Sequence, residues 1–220
     1  MLRSLSIGFL ISSISIIPLP VKAENKFELS LYGGYLFSPN SSVSIKGHSS
    51  FEADWEGKSF QSPLYYGARG TWWLGETTKK NLGISLDFSH AKAYATEETL
   101  DKADLSRLEF SDGLNLLTLN ALYRIKNPKS KWVPYAGIGA GINIPHVELY
   151  RSSGKTFEYQ VGGPTLQAQL GIAYKATTSI SAFAEYKANY SFIDVSIDSG
   201  KTLNTNIFTN AINMGLSYSF

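Results

Sequence analysis

Residues 207–220 read I-F-T-N-A-I-N-M-G-L-S-Y-S-F, and this ending decides the fold. From Ile212 onward, Ile212, Met214, Leu216, Tyr218 and Phe220 hold one parity, while Asn213, Gly215, Ser217 and Ser219 hold the other. Successive side chains of a strand point to opposite faces, so the alternation describes a strand with one oily and one polar face. In water, a terminal strand of this kind exposes apolar surface and an unpaired edge, which invites aggregation. Closing a barrel in lipid removes both problems, because the oily face meets acyl chains and every backbone group finds a neighbour. An ordinary sandwich strand is the alternative, and the rest of the chain decides between the two.

A length of 220 residues accommodates one all-β domain. The chain carries 20 Lys+Arg and 18 Asp+Glu. Two of the basic residues, Arg3 and Lys22, lie in a segment expected to be removed, leaving 18 against 18, so no nucleic acid is expected as a partner. The absence of cysteine rules out a disulfide framework or thiolate site and suits an oxidising compartment. Arg3, the apolar run over 5–17 and V-K-A at 21–23 form a basic start, a short apolar middle and a small-x-small end. That pattern predicts a secretory signal over 1–23, with the barrel over 24–220.

Eight segments of strand length follow, at 26–37, 63–74, 82–92, 113–125, 132–143, 164–175, 180–190 and 207–220. The third sets Leu82, Ile84, Leu86 and Phe88 against Gly83, Ser85, Asp87 and Ser89. In the fifth, Gly137, Gly139 and Gly141 share one face, as expected where an inner wall must leave room for a bulky neighbour. The connections alternate strictly. Long polar stretches at 38–62, 93–112, 145–163 and 194–206 read as loops, the second with a helical turn near 97–105, and 75–81, 127–130 and 176–179 read as short turns. This asymmetry predicts an all-β, eight-stranded antiparallel transmembrane up-and-down barrel, integral to a bacterial outer membrane and monomeric. An even strand number puts both termini on the periplasmic side. The polar parity then points inward and carries Glu28, Arg69, Asp87, Glu185 and Lys187, with Asn120, Arg124, Gln167, Gln169 and Asn213. Charges of both signs in a narrow lumen must pair, which predicts a plug of ion pairs and amide hydrogen bonds in place of a wide pore.

Particular stretches go beyond generic barrel sequence. These are S-L-Y-G-G-Y (30–35), W-E-G-K-S-F (55–60), Y-Y-G-A-R-G-T-W-W (65–73), D-F-S-H-A-K (87–92), R-L-E-F-S-D-G-L-N (107–115), P-Y-A-G-I-G-A-G (134–141) and P-H-V (145–147). In this order they resemble the lipid A oxidase family of small outer-membrane barrels, over most of the mature chain. The resemblance implies dioxygen-dependent oxidation of the proximal glucosamine of lipid A to 2-aminogluconate at the outer leaflet, with lipid A or lipopolysaccharide as partner. The terminal phenylalanine likewise resembles the signal read by the outer-membrane assembly machinery.

Oxidation at an anomeric carbon needs a base for the hydroxyl proton and a route for electrons to oxygen. With no cysteine and no dinucleotide-binding glycine motif, a bound divalent metal with imidazole and carboxylate ligands is the simplest route. The chain has three histidines, His48, His90 and His146. His90 and His146 close the outer ends of the third and fifth strands, so they are the expected metal ligands and catalytic residues. Glu109 and Asp112 join them as catalytic candidates, and Lys92 and Arg107 are expected to contact lipid A. Rim histidines also sit comfortably among phosphates and aromatics with no chemistry at all. The competing function is a non-catalytic surface barrel with a structural or adhesive role.

Overall fold

The computed structural model describes residues 26–74 and 81–220; the expected signal segment over 1–23 lies outside the described residues, as does most of the turn at 75–81. Thirteen strands run through the described residues: β1 (Lys26–Ile45), β2 (Phe51–Glu56), β3 (Tyr66–Trp73), β4 (Leu82–His90), β5 (Ala93–Ala95), β6 (Arg107–Phe110), β7 (Leu116–Arg124), β8 (Trp132–Asn143), β9 (His146–Arg151), β10 (Gly154–Tyr159), β11 (Gly163–Lys175), β12 (Ile180–Ile197) and β13 (Lys201–Ser219). One short helix, α1 (Glu97–Lys102), lies between β5 and β6. Thr96 caps it, accepting from the Thr99 N–H.

Eight of these strands close a ring. β1 pairs with β3, β3 with β4, β4 with β7, β7 with β8, β8 with β11, β11 with β12, β12 with β13, and β13 returns to β1, all antiparallel. The terminal segment therefore has partners on both edges, Met214 standing opposite Gly33 on one side and Ala184 on the other. Its oily parity faces out: Ile212, Met214, Leu216 and Tyr218 are all exposed. Leu31, Leu86, Leu119, Ile138 and Leu170 continue that belt around the ring. Aromatic rings fringe both edges, with Trp72, Phe27 and Phe220 near the described chain ends and Tyr35, Phe60, Tyr66 and Tyr190 near the long connections. From Phe27 to Tyr35 a tilted strand climbs about 20 Å, close to the height of a membrane's apolar layer crossed by tilted strands.

The polar parity turns inward as expected. The Arg69 guanidinium meets Glu185 at 2.8 Å and Gln169 at 2.7 Å, and the Lys187 ammonium meets Asp87 at 2.6 Å. The Tyr32 hydroxyl donates to Asp87 at 2.6 Å, and the Tyr135 hydroxyl donates to Glu185 at 2.7 Å. Gln167 ties Asp87 to Asn120, so the network bridges opposite walls. Gly139 makes room for it: a Cβ there would stand 2.1 Å from the Asn120 amide oxygen.

The long connections correct the expectation of irregular loops. β1 continues to Ile45, β12 and β13 run on as a tall hairpin, and β2, β5, β6, β9 and β10 form an extension above β3, β4, β7 and β8. The sheet order β10–β9–β6–β5–β2–β1 joins that extension to the ring through β1, whose pairing shifts register between Phe37 and Val43. Pro39, which cannot donate to a ladder, falls within the shifted stretch. Apolar residues at alternate positions fold these stretches: Val43 and Ile45, Ala53 and Trp55, Leu108 and Phe110, Val147 and Leu149, and Val195 and Ile197 are buried together. Each side chain so buried contributes about 1.5–3 kcal/mol if large and apolar. A polar lumen thus carries an apolar core on top of it, and the outer face of that upper storey continues the outer wall of the ring.

Candidate functional site

In β6 and β9, Leu108, Phe110, Val147 and Leu149 fill the upper core, so period-two alternation puts Arg107, Glu109, His146 and Glu148 on the opposite, outer face. Cross-strand pairing lines up one row there: Glu56 opposite Tyr94, Tyr94 opposite Glu109, Glu109 opposite Glu148, and Glu148 opposite Phe157. Asp112 joins the row from the turn after β6. In that turn Gly113 adopts φ +97° and Asn115 φ +47°, left-handed values suited to glycine and asparagine.

Asp112, His146 and Glu148 bring one ligand atom each to within 4.8 Å of one another. The His146 Nδ1 atom stands 3.4 Å from Glu148 Oε1 and 3.6 Å from Asp112 Oδ2. It is buried and makes no hydrogen bond. Those separations are long for N–H···O hydrogen bonds. Ligands about 2.0–2.2 Å from a four-coordinate ion stand roughly 3.4 Å apart, so the spacing suits a shared cation. Phe157 and Tyr159 wall the imidazole at ring distances of 4.5 and 4.6 Å.

Charge partners tune the carboxylates. The Arg107 guanidinium donates to Glu109 at 3.0 Å and to Glu148 at 2.9 Å, and Ser111 donates to Glu148. Burial alone would raise Glu148, but the Ser111 hydrogen bond and Arg107 hold its pKa below the usual carboxylate value. Glu109 goes the other way: burial lifts its pKa, Arg107 opposes that lift, and neighbouring Glu148 adds to it. The two carboxylates are thus pushed apart, which leaves Glu109 the better proton acceptor of the pair. Hydrogen bonding to Glu148 raises Arg107 and keeps it charged.

His90 lies on the same turn but outside that cluster. Its ring stacks on Tyr66 at 5.2 Å, and its Nδ1 meets Asn115 Oδ1 at 3.0 Å. The Asn115 amide nitrogen donates to the carbonyls of Asp112, Gly113 and Ile144, so its oxygen is the acceptor and His90 carries its proton on Nδ1. His90 Nε2 is buried without a hydrogen-bond partner. Both histidines touch Gly113: its carbonyl accepts from the His146 N–H at 3.0 Å, and a Cβ on it would stand 2.6 Å from His90 Nδ1.

The six residues singled out on sequence therefore divide. His146, Asp112, Glu109 and Arg107 converge on one face; His90 sits beside them. Lys92, expected at the surface against lipid A, is instead fully buried and donates to the Gln61 carbonyl at 2.9 Å. Arg107, expected to contact lipid A, pairs through its Nη1 with Glu109 and Glu148 while its side chain stays partly exposed. Glu148 was missed because 145–163 read as a loop, where no parity applies. P-H-V-E, with His146 and Glu148 two apart around a buried Val147, was the available signal.

A family model described as the outer membrane protein beta-barrel domain matches residues 9–220. Among solved structures, the outer membrane protein AlkL in lipid bilayers is similar at 12% identity and a TM-score of 0.51, over 100% of this chain and 95% of that one. The outer membrane protein OprG from Pseudomonas aeruginosa is similar at 15% identity and a TM-score of 0.50, over 90% and 96%. Identities this low speak to the fold alone. No curated protein matches the chain.

Proposed function

The chain belongs to the outer membrane protein beta-barrel family, and from that premise we propose that this integral outer-membrane protein oxidises the proximal glucosamine of lipid A, as its sequence motifs imply. In this reading the described chain ends face the periplasm, and the extension stands at the headgroups of the outer leaflet. The observation that carries it is the Asp112–His146–Glu148 cluster: a buried imidazole nitrogen without a hydrogen bond, flanked by two carboxylates, on the outer wall directly above the lipid-facing belt. Because His146 and His90 lie on the outer wall, substrate arrives sideways from the leaflet and the plugged lumen takes no part.

The reaction is a two-electron oxidation. The anomeric C–H and O–H of the hemiacetal are lost, dioxygen takes up both hydrogens as hydrogen peroxide, and water opens the resulting lactone to the aminogluconate. A redox-capable divalent ion held by Asp112, His146 and Glu148 would carry the electrons. Glu109, its pKa lifted by burial, takes the hydroxyl proton, and Arg107 holds the neighbouring Glu148 ionised. Tyr66, Tyr159 and Phe157 give the sugar rings apolar faces to lie against.

The test is mass spectrometry of lipid A from cells with and without the gene, and with His146→Ala. The expected gain is about 16 Da, one oxygen, present only with the intact chain. Identical spectra in all three strains would overturn the reading. One observation favours the non-catalytic surface barrel: the Arg107 guanidinium pairs with both Glu109 and Glu148, as in a structural cluster of ion pairs. On that reading His146→Ala leaves lipid A unchanged.

A further inference from the structure

We propose that Lys58, Lys92 and Tyr94 form an anion-binding subsite beside the carboxylate–imidazole cluster, which takes a phosphate or carboxylate group carried by the sugar next to the reacting one. The inference rests on the reading of that cluster as the reacting centre, and it adds the residues that would hold the charge on the second sugar.

The subsite is built by the W-E-G-K-S-F stretch. Gly57 lies so close to β1 that a Cβ would stand 2.4 Å from the Leu36 carbonyl oxygen. The Leu36 N–H donates to the Ser59 hydroxyl at 2.8 Å, which pins the turn on its other side. Between these anchors Lys58 is held at φ +41°, a region that side chains other than glycine rarely occupy. Strain of this kind persists where the surroundings over-determine the backbone, and it gathers at ligand clamps. Its result here is to place the Lys58 ammonium 4.4 Å above the Tyr94 ring.

A second ammonium reaches the same ring. Lys92 stands 5.4 Å from the Tyr94 centroid with its side chain fully buried, and among the described residues no carboxylate pairs with it. A carbonyl and a ring face supply partial charge only, so a buried cation is left without a counter-ion beside a like charge. Burial, and then the field of Lys58, push the Lys92 pKa down, as expected of a site short of negative charge. An anion at the Lys58 ammonium, which is one-third exposed, relieves both deficits. Lys92 acts through its field from beneath. Glu56, paired with Lys58 at 3.5 Å and half exposed, is a weak surface partner that such an anion displaces.

The spacing says which part of the ligand carries the charge. Tyr94 is two strands from Glu148 along one cross-strand row, about 10 Å. That is the reach from one ring of a disaccharide to the far side of the next. It agrees with the chemistry, since an anomeric carbon awaiting oxidation must bear a free hydroxyl and the anion must sit elsewhere.

The experiment uses the full folded chain in neutral phosphatidylcholine nanodiscs with chelator present, so that no turnover occurs. Three probes are titrated: an acylated glucosamine disaccharide without charge, the same with a phosphate on the distal sugar, and the same with a uronate there. The wild type should bind at least one charged probe about tenfold more tightly than the neutral one, the order expected of one charge-assisted hydrogen bond. The better charged probe names the source of the anion. Lys58→Met should erase that preference, and Glu56→Gln should enlarge it. Equal binding of neutral and charged probes, or a preference that survives Lys58→Met, overturns the proposal. Lys92→Met is a supporting variant, scored only where heat-modifiable gel mobility shows it folded; Lys58→Met decides without it. A tenfold preference without any oxidised lipid A would keep this subsite and sink the oxidase, so the two failures are distinguishable.

Discussion

Replacing Lys187 with methionine tests what holds the ring together. The Lys187 ammonium touches Asp87 at 2.6 Å and the Tyr32 hydroxyl at 2.5 Å, and lies 3.6 Å from Glu185. Without it, Asp87 and Glu185 share one cation among the described residues, Arg69, which sits 2.8 Å from Glu185 but 3.8 Å from Asp87. One fully buried carboxylate is then unpaired, and breaking a buried pair from one side costs about 3–5 kcal/mol. Adding Asp87→Asn restores neutrality, with Arg69 against Glu185, and leaves the amide free to meet Gln167. The double variant should therefore recover more than half of the loss. The assay is urea unfolding in lipid vesicles, followed by tryptophan fluorescence and heat-modifiable gel mobility. A single-variant loss under about 1 kcal/mol, or a double variant as unstable as the sum of its parts, would refute the view that charge balance governs this lumen.

Gly139→Val should hinder barrel formation, because its side chain meets the Asn120 amide at 2.1 Å and the Leu119 carbonyl oxygen at 2.5 Å; the loss should be about 1–3 kcal/mol or more, read as a smaller folded fraction on gels. Phe110→Ala should cost about 3–5 kcal/mol in the upper core, exposing residues 93–112 to protease while the ring stays heat-modifiable. If the proposed oxidation occurs with Glu109 as base, its rate should rise as Glu109 ionises, with an acid limb shifted up from the ordinary carboxylate value because burial raises its pKa. Arg107 opposes that rise, so Arg107→Met should move the limb to higher pH; a limb that stays put or falls would remove Glu109 from the role of base.

The ring was legible because its physics is repetitive. Leu82 to Ser89 alternates without a fault, Asp87 and Lys187 fall on the polar parity, and the three glycines of β8 mark the inner wall where Asn120 lies. The upper storey was not legible, although its alternation is just as regular. Val43 and Ile45, Ala53 and Trp55, Val147 and Leu149 come in pairs, too short to separate from loop sequence rich in Ser, Asn and Gly. Only pairing among these fragments buries them together, and pairing between distant fragments is a tertiary fact. Lys92 was misplaced for the same reason: nothing in D-F-S-H-A-K says that W-E-G-K-S-F folds over it.

That storey changes what the histidines mean. A histidine closing a strand at a bare rim stands among mobile loops, and comfort at the interface accounts for it. His146 instead sits in a paired strand whose next residue, Val147, is locked in a core, and its N–H is fixed by the Gly113 carbonyl. With the backbone fixed and Phe157 and Tyr159 packed on the ring, the buried nitrogen is held away from hydrogen-bond partners. An unmet polar atom is costly there, and a fold that keeps it beside two carboxylates offers charge and spacing that suit a cation. Titrating the purified chain with Mn²⁺, Fe²⁺ or Zn²⁺ should therefore show one tight site per chain, lost in His146→Ala and retained in His90→Ala. Retention in both variants would place the metal elsewhere and leave the cluster a set of ion pairs around Arg107.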